Sequence, residues 1–414
     1  MKYLICLLLY SACLMAQTAA GLADRAEQLI QAKDFQGALR LLSQSAGMRT
    51  LTAEEDDRIG FLYAVLGHGP ESIEHFRRAV AAAPSFALAH YHLGVAYWLQ
   101  QNPSEAVPHL QEAVGLDPEA FDYRLRLGTA FLETGHYAEA ATELKKATAL
   151  NTANGLAWNS LGHALQRTGD LDRAVEAYAK AVERNPADDL WRNDYGFMLV
   201  ETRKPDQALK EFRKILAHDP ANARVRVNVG YAYLKTGAFG LAEKEFRAAL
   251  AKDPGSASGH YDLGVALKQQ DKLEAAEKEF QEAIRLEPTL AEAHYTLGVT
   301  FWQLGAFPEA IQQMRAALGI RPEYAEAHYM LGTVLKQNGD LDLAIPELRE
   351  AIRLDPETPG PLNTLAQILR GKGQKTESDR LFAQAAKLKQ EKEAQLGNTL
   401  SQRMGNSGVL TRKP

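Results

Sequence analysis

The chain has 414 residues, 46% apolar and 24% charged, and its 47 Lys and Arg against 52 Asp and Glu give a formal charge of −5. That balance is globular, neither disordered nor membranous, and a pI near 6.2 excludes capture of nucleic acid or anionic lipid by whole-chain charge. Cys6 and Cys13 are the only cysteines, so the rest of the chain can build no disulfide, thiolate metal site or cysteine nucleophile.

The chain opens with one charge, Lys2, an apolar stretch from Tyr3 to Met15, and the small-residue segment Ala16-Gln17-Thr18-Ala19-Ala20. Residues 1–20 read as a secretory signal peptide, cleaved after Ala20 by first choice and after Ala16 by second, whose apolar part is too short to span a bilayer. Ser11-Ala12-Cys13 offers a lipoprotein reading instead, but Tyr10 stands where that signal wants an aliphatic residue. Either way the expected location is periplasmic or secreted, with a membrane contact only through a lipidated Cys13. An exported chain without further cysteines must be stable by packing alone.

From residue 53 the sequence is in register with itself every 34 residues, in ten units beginning at 53, 87, 121, 155, 189, 223, 257, 291, 325 and 359. Column 8 is glycine from Gly60 to Gly332, with Ala366 in the last unit. Column 20 is alanine or serine, column 27 is alanine except Ile215, and column 32 is proline from Pro84 to Pro356 apart from Thr152. In the unit Ala291 to Tyr324, residues Ala293, His294, Leu297, Gly298, Phe301 and Trp302 fall at helical spacing and stop at Gly305. Phe307, Ala310, Ile311, Met314, Ala317 and Leu318 form a second stripe, closed by Arg321-Pro322. Neither helix can bury its stripe alone, so the units must stack. A glycine inside a helix costs about 1 kcal/mol relative to alanine, so a whole column implies close approach of the second helix, with the column-20 alanine expected opposite. Residues 21–52 hold a degenerate copy, in which Leu29, Phe35, Ala38 and Leu42 fit columns 11, 17, 20 and 24.

Three departures stand out along the array. The acidic run Glu54 to Asp57 follows Thr52, which with Glu55 makes a capping box, so a helix start is expected there in place of a catalytic carboxylate pair. Pro108 and Pro346 fall at column 22, past the first turn of a second helix, where distortion is expected. Asn151-Thr152-Ala153-Asn154 replaces the usual Asp-Pro junction and is expected to loosen the stack there. The units run over 53–392, and residues 393–414 are expected to be a polar helical cap followed, beyond Gly397, by a disordered tail.

With small residues at columns 8, 20 and 27 and proline at column 32, the repeat resembles the tetratricopeptide repeat throughout 53–392. The resemblance implies an all-α, right-handed superhelical solenoid with first helices lining a concave groove. It also implies a non-catalytic role in binding an extended peptide or partner protein, without cofactor or nucleic acid. In the family's geometry columns 2, 5, 6, 9, 12 and 13 face the groove. Column 5 then supplies Tyr91, Tyr261, Tyr295 and Tyr329, column 12 Trp98 and Trp302, and column 9 Phe197 and Tyr231. Exposed aromatics of this kind suit peptide capture, and Tyr261, Tyr295, Trp302 and Tyr329 form the densest group.

Column 6, where the repeats of O-GlcNAc transferase carry an asparagine ladder, matches that pattern only at Asn228. No lysine at column 5 supplies a chaperone-type carboxylate clamp. His90, His260, His294 and His328 share column 4, but adjacent units stand roughly 8–10 Å apart, too far for one ion bound at about 2 Å. The function expected is a protein-interaction scaffold. The alternatives are an accessory module recruiting substrates to a separate glycosyltransferase or protease, or a cell-envelope assembly factor.

Overall fold

A computed structural model describes residues 22, 24–47 and 50–407, the stretch 396–407 as backbone only. The leader at 1–20, Cys13 included, and the residues after Ser407 lie outside the described residues. The chain divides between Lys204 and Pro205 into two compact units. Each is a stack of antiparallel helices, with no strand among the described residues.

Helix α1 (residues 24–31) and α2 (Phe35–Ala46) form the degenerate copy, and Ala38 and Leu42 are fully buried in a cluster with Ile59 and Leu62 of the next pair. Thereafter every first helix opens on column 1: α3 (Ala53–Val65), α5 (Ala87–Leu99), α7 (Phe121–Glu133), α9 (Gly155–Arg167), α11 (Asp189–Glu201), α13 (Ala223–Lys235), α15 (Ala257–Lys268), α17 (Ala291–Gln303), α19 (Ala325–Asn338) and α21 (Pro359–Gly371). Every second helix opens on column 17: α4 (Gly69–Ala82), α6 (Pro103–Leu116), α8 (Tyr137–Leu150), α10 (Leu171–Arg184), α12 (Pro205–Leu216), α14 (Phe239–Leu250), α16 (Leu273–Leu286), α18 (Phe307–Ile320), α20 (Leu341–Leu354) and α22 (Lys375–Ser407). The last helix thus continues past Gly397, where the sequence had suggested that the polar cap would end.

The glycine column faces column 24 more than column 20. A Cβ on Gly94 would lie 2.7 Å from Leu110 Cγ, and one on Gly264 2.6 Å from Phe280 Cε1. Column 20 contributes its backbone: the Ala106 carbonyl oxygen is 3.1 Å from the same point at Gly94, while the Ala106 methyl is fully buried. The alanine lets the second helix come close, and the column-24 side chain fills the space that a Cβ would occupy.

First helices end in a left-handed residue at column 15, as at Gly305. It is glycine in most units, but Gln101 (φ 57°), Arg203 (φ 59°) and Asp271 (φ 56°) adopt the same conformation. The next amide then bonds back across the turn, as Lys272 N donates to the Leu267 carbonyl at 3.1 Å, closing a Schellman motif. A side chain with a Cβ pays a steric penalty there. Asp271→Gly and Gln101→Gly should therefore each raise stability by about 0.5–1 kcal/mol, read as a higher denaturant midpoint. A lower midpoint would show that the side chains at these turns contribute more than the strain costs.

Column 4 holds the successive pairs together. In eight units from 87 to 325 its side chain donates to the carbonyl that ends the preceding unit: His90 to Pro84, Arg124 to Pro118, Trp158 to Thr152, Arg192 to Pro186, Arg226 to Pro220, His260 to Pro254, His294 to Pro288 and His328 to Pro322. The second ring or guanidinium nitrogen commonly reaches column 23 of the same unit, as in His260 to Glu279 at 2.7 Å and His294 to Gln313 at 2.8 Å. These histidines therefore have separate partners in separate units.

The Thr152 junction is not loosened. Trp158 Nε1 and Arg184 Nε both donate to the Thr152 carbonyl at 3.0 Å, because the clasp needs a carbonyl, which any residue supplies. Nor do Pro108 and Pro346 interrupt α6 or α20. Each frees a first-turn carbonyl, on Ser104 or Asp342, at residues exposed to water, which satisfies it. The acidic run is structural as expected: Thr52 and Glu55 close a capping box, and Asp56 and Asp57 bond His75 and His92 at 2.9 Å.

Candidate interaction face

Side chains on successive first helices meet with an offset of one column. Asp57 and His92 are joined this way, as are Tyr261 Oη and Thr296 Oγ1 at 3.5 Å, and Trp302 Nε1, which donates to Gln337 Oε1. Columns 5, 6, 12 and 13 therefore lie along one continuous face within each unit of the chain.

In the unit from Pro205 onward, Tyr261, Tyr295, Trp302 and Tyr329 stand on three successive first helices, α15, α17 and α19, and all are half-buried. The three tyrosines each rest on a neighbour. Tyr261 leans on Phe280 with ring centroids 5.8 Å apart, and Tyr295 on Tyr324 at 5.1 Å. Tyr329 packs against Gly360, where an added Cβ would sit 2.9 Å from the ring. Burial raises the phenol pKa of Tyr261 and of Tyr295, so both stay neutral donors at ordinary pH. Tyr231 and Asn228 lie on α13, also half-buried, and the Lys235 ammonium sits over the Tyr231 ring at 4.8 Å.

The other three predicted residues belong to the unit that ends at Lys204. Tyr91 stacks on Tyr123 at 4.7 Å, Trp98 packs beside two core clusters, and Phe197 is half-buried on α11. The nine residues thus divide between the two units, six in one and three in the other.

Asp262 also stands at column 6, where nothing in the sequence separates it from the Asp194 of an earlier repeat. Asp262 is half-buried on α15, and desolvation alone raises its carboxyl pKa to about 6. No cation among the described residues lowers it. Column 2 of the earlier unit also presents Leu156 and Leu190, 48% and 62% exposed, an apolar edge that a search for aromatics overlooks.

Models of the tetratricopeptide repeat match residues 60–121, 125–189, 199–257 and 261–325, with further matches at 97–152 and 325–358. The chain belongs to the tetratricopeptide repeat family. Among solved structures, the APC/C hetero-tetramer Cut9–Hcn1 shares the fold at 16% identity, covering 87% of this chain and 86% of that one with a TM-score of 0.50. Yeast Tom70 is 16% identical over 96% of this chain and 98% of its own, with a TM-score of 0.46. MamA is 25% identical over 40% of this chain and 97% of its own, with a TM-score of 0.39. No curated protein matches the chain in sequence.

Proposed function

We propose that this tetratricopeptide repeat protein is a non-catalytic interaction scaffold that holds an extended peptide segment of a partner across the first-helix face of residues 257–358. The observation that carries the reading is the run of half-buried aromatics on α15, α17 and α19, the three tyrosines resting on Phe280, Tyr324 and Gly360 and Trp302 bonded to Gln337. Half-buried aromatics offer large contact area with little rotamer entropy left to lose. Asp262 adds an acceptor without a cation of its own, which favours a segment with Lys or Arg at that point. Export by the leader at 1–20 belongs to the same proposal and is supported by the sequence of that segment alone.

The test is capture of partners from the native extract by residues 21–414, beside Asp262→Lys and the combined Tyr295→Ala, Trp302→Ala, Tyr329→Ala variant, all shown to be folded by circular dichroism. A partner held by the parent and lost by both variants supports the face. One retained equally by all three sinks it. The mass of the mature N-terminus checks export: a chain starting at Gly21 is expected, and an uncleaved Met1 contradicts it.

Asp262 also gives a pH signature. Its folded pKa of about 6 lies above the ordinary carboxylate value of 3.8, so its contribution to stability is fully present below 3.8 and is lost as pH rises through about 6. Asp262→Asn should match the parent near pH 4 and melt at a higher temperature near pH 7.5. A difference that does not change with pH would contradict the buried, unpaired carboxylate.

A further inference from the structure

A cavity of about 580 Å³ opens between second helices α8 and α10, away from the first-helix face. Its origin is legible in the repeat. Column 21 is Ala141 between Val107 and Val175, column 28 is Thr148 between Val114 and Val182, and column 23 is Ala177 between Glu143 and Glu211. Two side chains, at Ala141 and Ala177, are shortened in one inter-helix gap, and Thr148 puts a hydroxyl where its neighbours carry a methyl. The corresponding gap between α6 and α8 holds about 370 Å³ and is edged by Glu139 and Glu143. The larger cavity has an apolar floor of Trp158, Leu161 and Leu165, and a rim of Lys145, Arg173 and Lys180 with Glu176 as its one carboxylate. Arg173 is paired with Asp170. The Lys180 ammonium rests over the Trp158 indole at 4.1 Å, with no carboxylate partner among the described residues.

We infer that this cavity is a second binding site, for an apolar ring or branched chain that ends in a carboxylate. The volume lies in the range of small-ligand pockets, about 300–1,000 Å³. The apolar group stacks on Trp158 and fills the space left by Ala141 and Ala177. Lys180 moves off the indole and, with Lys145, pairs with the carboxylate, exchanging a cation–π contact for a charge-assisted hydrogen bond. A free organic acid and the C-terminal apolar residue of a peptide present the same chemistry. The site is independent of the groove reading, since none of its lining residues belongs to α15, α17 or α19.

Calorimetric titration of residues 21–414 with 3-phenylpropionate, with its neutral amide, and with acetyl-Ala-Ala-Phe bearing a free carboxylate tests the inference. Saturable binding of an acid, at least about tenfold weaker for the amide, is expected, since tenfold corresponds to about 1.4 kcal/mol. Tighter binding of the free acid identifies a small organic acid as the source, and tighter binding of the peptide identifies a chain terminus. The combined Ala141→Val, Thr148→Val, Ala177→Glu variant carries residues found at those columns in neighbouring units, so it should fold, and it should abolish binding. Lys145→Gln with Lys180→Gln should weaken the acid about tenfold and leave the amide unchanged. No saturable binding of either acid, equal binding of acid and amide, or binding unaffected by the filled variant would overturn the inference.

Discussion

Arg124→Met is expected to destabilise the unit ending at Lys204 by about 3 kcal/mol, the cost of removing one partner from a buried ion pair. Arg124 is 8% exposed. Its Nε donates to the Pro118 carbonyl at 2.6 Å and its Nη1 to Glu143 at 2.5 Å, so one side chain ties the end of one pair to both helices of the next. Methionine keeps the packing of the stem and leaves the carbonyl and carboxylate without their donor. Lys146, 2.8 Å from Glu143, recovers part of the loss. Arg124→His separates the clasp from simple bulk, because His260 and His328 bridge the same two columns. It should retain most of the stability. Denaturant midpoints with hydrogen exchange along α7 read the result, since a stacked array couples mainly nearest neighbours and the loss should centre there. Equal stability of Met and His variants would show that the hydrogen bonds contribute nothing net.

Gly264→Val should cost a similar amount, about 3 kcal/mol at the upper end of overpacking penalties, in the unit from Pro205 onward. A Cβ at Gly264 already falls 2.6 Å from Phe280, a ring fully buried in its cluster, and the two γ-methyls of valine add to the clash. Gly264→Ala is the graded control. Alanine gains about 1 kcal/mol of helix propensity yet must displace the same ring, so it should still lose stability, by less than valine. Adding Phe280→Leu to Gly264→Ala should recover part of the loss, since Leu110 and Leu144 serve opposite Gly94 and Gly128. An Ala variant more stable than the parent would show that the glycine column does not set the helix approach.

Local rules determined much of this protein. The 34-residue register, the helix pair, the Thr52 capping box and the family follow from small residues, prolines and helical periodicity that repeat in sequence, because each reflects contacts within one unit or with its neighbour. The aromatic candidates at columns 5, 9 and 12 were likewise legible as residue types.

What those residues do in three dimensions was decided by tertiary structure. A sequence shows that Gly264 is small, but only the packed pair shows that Phe280, in place of the column-20 alanine, occupies its space. Histidine, arginine and tryptophan at column 4 look unrelated as letters, yet they are equivalent because each projects an N–H to a carbonyl six residues back. Asp262 is an ordinary aspartate in the sequence, and desolvation by its surroundings gives it a pKa of about 6. The cavity over Trp158 needs Ala141 of α8 and Ala177 of α10 at one gap. Periodicity records which side chains recur, whereas burial, desolvation and the meeting of distant columns depend on distances that exist only once the helices have stacked.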